Sequence, residues 1–497
     1  MANEKQLVRS LTEPTIEVDE LSSYDVETGS ASQVGTPSSN TNFSKQYGGA
    51  FPLVQVNNFA FEGDQIYGME IRSVGYRPTA TVTINVSNKS FYSIAYPKDG
   101  DLLSLFIRSK DDLFVPIRND YEITNVNVKS ESRSSDGTEN GSDTMTITGV
   151  LRIPGYNAEK CFAKEGTSFK ALIQTASDLG LGFASNEVDT ADEQTWICPF
   201  DSVDDFLYDT AISAWKDENS FFTWFIDHYY KLNFVNVDPL FSETPQIDDA
   251  LAEALISQDF GTDSELAKPA FKVILSNLDD ISNTNFFIEN YSMQNYSAAI
   301  NNREGYKRFL QYYDGLVKDY ETIFADPMTS PGSEDEKIIM KGRPDENFYL
   351  EQVKHKWLGV LYGTNGENCH EKYLYAKVQN YQNNVHLDKM VLEVRLPKCN
   401  FNLRRWQVLP VIIANKRDLV RKKLTESADE SDNIAPSTEI DASPPAEDME
   451  NTPFSVDKFY SGYYAIRDII YKFEKGEFKQ ELKLIRREWP TPSQTNS

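Results

Sequence analysis

Thr79-Ala-Thr-Val-Thr-Ile-Asn-Val86 alternates small or polar residues with apolar ones. A period of two sends successive side chains to opposite faces, so the stretch reads as a half-buried strand. Tyr121-Glu-Ile-Thr-Asn-Val-Asn-Val128 and Thr144-Met-Thr-Ile-Thr-Gly-Val-Leu151 repeat the pattern, and Leu102-Leu-Ser-Leu-Phe-Ile107 is a short buried run. Between the second and third alternating stretches lie Asp136-Gly137 and Asn140-Gly141. These are common hairpin-turn pairs, because both residues tolerate positive φ. Short strands separated by turn signals predict a β-barrel or sandwich over residues 49–155.

Working outward, residues 156–245 change character. Phe169, Leu172, Ile173, Ala176 and Leu179 fall at helical spacing, with Gly180 as a C-terminal cap. Ser202-Val-Asp-Asp205 fits a capping box before an amphipathic helix carrying Phe206, Leu207 and Trp215. Phe221 to Ile226 and Leu232 to Val237 then read as strands, which makes this block a small α+β module. Residues 246–270 read as an acidic connector. A second β domain is expected over 271–424, with strands at Val273 to Leu275, Phe286 to Ile288, Met390 to Leu396 and Gln407 to Ala414. Residues 306–324 fit strand or helix, and 370–386 are ambiguous. The closing hairpin, Tyr463 to Phe473 and Phe478 to Ile485 across Lys475-Gly476, belongs to residues 453–490, and 491–497 form a flexible end.

Two stretches read as low-complexity. Residues 1–48 are expected to be a disordered acidic tail, with seven acids against Lys5, Arg9 and Lys45. Residues 425–452 form an acidic, Pro- and Ser-rich insertion with nine Asp or Glu and no Lys or Arg.

Length and composition narrow the function. A chain of 497 residues calls for more than one domain. Its 49 Lys and Arg against 76 Asp and Glu give a net charge of -27, which suits no protein that clamps nucleic acid by counterion release. Four cysteines, Cys161, Cys198, Cys369 and Cys399, contain no CxxC and build no disulfide scaffold. The N-terminal MANEKQLVRS has no signal-peptide core, and no run is long enough to span a bilayer. Synthesis in a host cytoplasm without membrane insertion is the expectation.

Motifs that carry chemistry are weak. Leu409-Pro-Val-Ile-Ile-Ala-Asn-Lys-Arg-Asp418 resembles the guanine-reading element of GTPases, but the phosphate-cradling GxxxxGK[ST] that must accompany it is absent. His228, His355, His370 and His386 are scattered, without HExxH or a zinc spacing. There is no GxSxG elbow. Asp204-Asp205 and Asp279-Asp280 read as surface acids, and Trp215 and Trp224 as core or interface. No residue is assigned to catalysis, to a cofactor or to a metal.

Several features, in order, resemble the central baseplate hub subunit of contractile-tailed phages, related to late-control tail proteins and type VI secretion spike heads. Gly100 to Ile107 and Ile147 to Leu151 resemble that family's first tube-like barrel, and Phe169 to Ala184 its following helix. Thr195-Trp196, Ser202 and the aromatic strand after them keep the family order. Gly305-Tyr306, Gln311 to Gly315, Asn400-Phe-Asn-Leu403 and the hairpin Tyr463 to Arg487 resemble its second half. The resemblance spans residues 50–490 and rests on order and pattern. The acidic N-terminal tail, residues 246–268 and residues 425–452 depart from it.

The resemblance implies a β-rich α+β fold with two tube-like β-barrel domains and an inserted α+β module, assembling as a ring. It implies a homotrimer in the virion tail baseplate that contacts a central spike protein, the tail tube and baseplate wedge proteins. The genome would pass through its lumen without specific binding, and the chain would not be an enzyme. An acidic lumen would repel phosphate, although thirteen of the 27 negative charges fall in the tail and the insertion. A type VI spike head, a cell-wall polysaccharide hydrolase and a carbohydrate-binding module are the alternatives.

Overall fold

The computed structural model describes residues 8–9, 50–57, 59–61, 63–86, 91–92, 95–98, 100–109, 115–130, 143–242, 273–274, 288–296, 307–314, 319–325, 349–351, 370, 372–388, 390–396, 399–401, 403–413, 457, 460–474 and 476–486. From the stretch read as an acidic tail, it describes β1 (Val8–Arg9), which pairs in parallel with Phe183 and Ala184. The turn pairs at 136–141, Asp279-Asp280 and the 425–452 insertion lie outside the described residues.

The first block supplies β2 (Ala50–Val56), β3 (Phe59–Phe61), β4 (Ile66–Ser73), β5 (Thr79–Val86), β6 (Leu102–Ser109), β7 (Ile117–Ser130) and β8 (Asp143–Leu151). They pair antiparallel in the spatial order β4-β5-β8-β7-β6-β2-β3. The alternation in β5 sets its register with β8: Val82 lies opposite Ile147 and Ile84 opposite Met145, all buried. A slip of one residue would turn these side chains to solvent.

The middle block holds β9 (Glu159–Gly166), α1 (Ser168–Asp178), β10 (Gly182–Ser185), β11 (Gln194–Ser202), α2 (Val203–Ile212), β12 (Phe222–Ile226), β13 (Lys231–Asn236) and α3 (Pro239–Ser242). Strands β10, β13 and β12 form a sheet with β1, and β9 pairs with β11 as a two-stranded ribbon. Helix α1 buries Phe169, Leu172, Ile173 and Ala176 as its spacing predicts. Gly180, at φ 71°, donates to Ser177 O and lets Leu181 N reach Ala176 O, the expected glycine-terminated end. Ser202 caps α2 by accepting from Asp205 N at 3.1 Å. The helix stops at Ile212 instead of running through Trp215, whose backbone N–H donates to Asp192 Oδ2 at 2.8 Å.

The last block comprises β14 (Val273–Ile274), β15 (Asn290–Asn295), β16 (Lys307–Asp314), β17 (Asp319–Ala325), β18 (Tyr349–Glu351), α4 (Tyr373–Leu387), β19 (Met390–Leu396), β20 (Val408–Ile412), β21 (Gly462–Glu474) and β22 (Glu477–Ile485). The 306–324 stretch is thus the antiparallel pair β16–β17, and 370–386 falls mainly in a helix.

Strand β21 joins the blocks. Along one edge its first residues pair with β20 and its last ones with β4, while β22 runs along the other edge. The first block and the closing hairpin are therefore parts of one 13-stranded sheet. One face of it is continuously apolar: Met69, Val82, Ile147, Leu105, Phe473 and Leu482 are in the same buried cluster, together with Leu172, Phe183 and Phe234 of the middle block. Each such side chain stabilises the fold by about 1.5–3 kcal/mol through burial.

Candidate functional site: the polar sheet face and the junction behind it

The opposite face of the large sheet is polar. Thr81 on β5 and Thr148 on β8 hydrogen-bond at 3.3 Å, and Thr83 and Thr146 at 3.2 Å. Beyond this hydroxyl ladder the charges alternate in sign. Glu70 pairs with Arg72 at 3.1 Å, Lys472 with Glu481 at 2.8 Å, and Arg395 with Glu289 at 3.5 Å. A shallow groove of about 480 Å³ crosses this face from Arg72 past Lys483 and Glu393 to Asn290. Exposed pairs of this kind add little stability. They do offset the charge locally, since Arg72, Lys472 and Arg395 each have an anion beside them.

Arg405 holds the blocks together where β21 changes partners. Strand β21 bulges between Ile466 and Asp468. There Arg405 donates Nε–H to Arg467 O at 2.7 Å and Nη1–H to Gly75 O at 2.6 Å. Its Nη2 lies 3.5 Å from Asp468 Oδ1, and the guanidinium sits 4.4 Å over the Phe225 ring. One side chain thus ties the β4–β5 turn, the β21 bulge and the middle block. Burial brings its pKa down to about 10, opposed by Asp468, so it remains a cation at neutral pH. Trp406, next in sequence, takes φ 62° and donates its backbone N–H to Ile466 O at 2.6 Å. The guanidinium of Arg467 covers its ring at 5.4 Å.

The α4 helix closes the other side. Asn380 accepts from Phe222 N at 2.8 Å and donates to Ile212 O at 2.9 Å and Ala214 O at 2.8 Å. Asn384, one turn on, donates to Phe222 O at 2.9 Å. Together the two asparagines serve the β12 edge as a neighbouring strand would. A cleft of about 440 Å³ remains between Tyr76, Tyr208, Trp224, Asn384, Asp388 and Arg467. The Tyr76 ring stacks on Trp224 at 4.6 Å and 11°. The cleft's two carboxylates, Asp388 and Asp468, each face a guanidinium.

The motifs that stand out in the sequence scatter across the molecule. The Leu409 to Ile412 part of the GTPase-like run is in β20, while Asn415 and Asp418 lie outside the described residues. His228 is buried, its ring 4.4 Å from that of Tyr229 and 5.9 Å from that of Tyr471. His370 is buried with Nε2 3.2 Å from Ser213 O. No group of three or more His, Cys, Asp or Glu that could hold a metal occurs among the described residues. Asp204 accepts from Tyr156 Oη at 2.6 Å, and Asp205 Oδ2 accepts from Ser202 Oγ at 2.8 Å, so neither acid of that pair projects unengaged. Trp196, Trp215, Trp224 and Trp406 are all buried. No described helix is long and apolar enough to cross a membrane. Neither Arg405 nor Asn380 stands out by any motif; a double arginine before Trp406, just ahead of a strand, is the available signal.

These features define the class: a β-rich α+β protein on one large antiparallel sheet, with an apolar face under an α+β module and a polar face opposite. No family model matches the sequence, and neither does any curated protein. Among solved structures the chain is similar to a tail protein from Neisseria meningitidis, with a TM-score of 0.46, 10% identity, and 88% of this chain and 97% of that one covered. It is similar to the 43 kDa tail protein of prophage MuSo2 from Shewanella oneidensis, with a TM-score of 0.44, 8% identity, and 88% and 98% covered. It is also similar to an Escherichia coli component of the type VI secretion system, with a TM-score of 0.38, 7% identity, and 88% and 79% covered.

Proposed function

We propose that this chain is the hub subunit of a contractile phage-tail baseplate. Three copies form a ring that links the tail tube to the central spike and lets DNA pass. The observation that carries the reading is the single sheet spanning both halves of the chain, apolar on one face and polar on the other. Such a sheet, continued by neighbouring copies, makes a tube wall with its core outside and its polar face toward the lumen. The strands at the two ends of its main run, β3 and β15, are where a copy would extend it. The two halves of the sheet would serve as the two tube-like domains. The described part of the polar face offers hydroxyls and paired charges. The pairing of Arg72, Lys472 and Arg395 with acids leaves those cations little hold on phosphate, which suits passage without gripping. Catalysis has no part in this reading.

Light scattering on the purified protein, alone and mixed with a candidate spike protein, tests it. The expected mass is three times 56.5 kDa, alone or with the spike. A chain that stays monomeric and binds neither spike nor tube protein overturns the hub reading.

A further inference from the structure

The β9–β11 ribbon lies apart from the large sheet, and its two faces differ. Its inner face packs down: Phe162 meets Phe206 of α2 at 4.8 Å, and Trp196 is buried with Nε1–H donating to Gly166 O at 2.9 Å. Its outer face is exposed and apolar. Ala163 lies opposite Ile197, which is 43% exposed, and Cys161 lies opposite Pro199. Phe200 follows in a bulge between Pro199 and Asp201 and is 74% exposed.

Phe200 also adopts φ 56°, a conformation unfavourable for a side chain of that size. The bulge is pinned from below, where Cys198 Sγ lies 3.3 Å from Lys160 O and 3.4 Å from Asp201 O. The chain thus bears both backbone strain and an aromatic ring in water at one residue. Neither helps the isolated fold, and such combinations gather where a surface is used.

The charges around the patch choose its occupant. Glu165 flanks one end of the outer face and Glu159 the other, both exposed, roughly 20 Å apart along β9. Of the two bases on that strand's inner side, Lys164 is held by Asp178 at 2.5 Å and Lys160 lies opposite Asp201 in the ladder. A second copy meeting it with the same face would set Glu159 and Glu165 against like charges, a poor match. We infer that the outer face of the β9–β11 ribbon is a docking surface for a different protein. That partner presents an apolar ridge bracketed by Lys or Arg, and Phe200 is the anchor.

Two synthetic peptides with the same apolar β-forming core, one ended by lysines and one by glutamates, test this by titration against the full-length protein. The lysine-ended peptide is expected to bind about tenfold tighter, with the difference shrinking in high salt. Phe200→Gly removes the ring and accepts positive φ freely, so it abolishes that binding while the thermal midpoint stays or rises. The double variant Glu159→Lys, Glu165→Lys reverses the preference. Equal affinity for both peptides, or binding of neither, overturns the proposal. So does a Phe200→Gly protein with a lowered midpoint and intact binding, since the ring would then serve the fold. Loss of self-association in Phe200→Gly, seen by sedimentation, also overturns it, by making a second copy the occupant.

Discussion

Arg405 brings a charge into the interior and meets it with two carbonyls, one carboxylate and an aromatic face. Its side chain is 6% exposed. Replacing it by Met strands Asp468, Gly75 O and Arg467 O together, so Arg405→Met should cost on the order of 3–5 kcal/mol in denaturant unfolding. Arg405→Lys should recover little of this, because an ammonium cannot reproduce the planar fork. His228 makes a pH-dependent contribution. Burial and the nearby cations Arg404 and Lys231 push its pKa well below the usual histidine value. Below pH 6.5 the unfolded chain takes up a proton that the folded chain refuses, so this contribution to stability is complete above that pH and is lost on acidification. The slope from this group is at most about 1.4 kcal/mol per pH unit. His228→Phe should keep the ring packing against Tyr229 and Tyr471 and flatten stability between pH 7 and pH 5. An unchanged slope would place the titration elsewhere.

At the scale of elements, α4 shows how a helix substitutes for a strand. Asn380 alone satisfies Phe222 N, Ile212 O and Ala214 O. Asn380→Ala should therefore destabilise by about 2–4 kcal/mol, and hydrogen exchange should rise first at Phe222. Asn380→Asp should be nearly as harmful, since a carboxylate keeps the bond from Phe222 N and faces two carbonyls without a donor. The sequence showed β5 and β8 to the residue or nearly so, because each has one buried and one wet face. It also showed α1, the Ser202 cap and the closing hairpin. The β9–β11 ribbon escaped notice. Glu159 to Gly166 is half-exposed or exposed throughout, so no apolar alternation marks it. Strand β15, Asn-Tyr-Ser-Met-Gln-Asn, is short and carries only Tyr291 and Met293 as apolar residues, too weak a pattern to mark it. The end of α2 was misplaced because Trp215 continues the apolar pattern while Asp192 takes its backbone N–H. Tertiary partners settle such positions, and local pattern does not contain them.

For the whole molecule the decisive contact is β4 with β21, which pairs Met69 with Phe473 and Ile71 with Tyr471 from opposite ends of the chain. No local pattern encodes that pairing; the hydrophobic alternation in each strand only makes it available. Its consequence is energetic. Blocks with separate cores would each melt at their own temperature. The structure instead has one buried cluster running from Val54 through Leu172 and Phe234 to Leu484. A smaller cluster of Phe221, Phe225, Trp406 and Ala465 fastens the middle block to the last one. Elements that share a core lose their contacts together, so the described blocks should unfold in a single transition. Tryptophan fluorescence sums six residues, of which the described Trp196, Trp215, Trp224 and Trp406 lie near the middle block and the junction, while far-ultraviolet circular dichroism follows the sheet. The two midpoints should coincide, and Arg405→Met should lower both by the same amount. Separated midpoints, or a variant that shifts only the fluorescence, would show that the β4–β21 seam and the shared core do not couple the blocks.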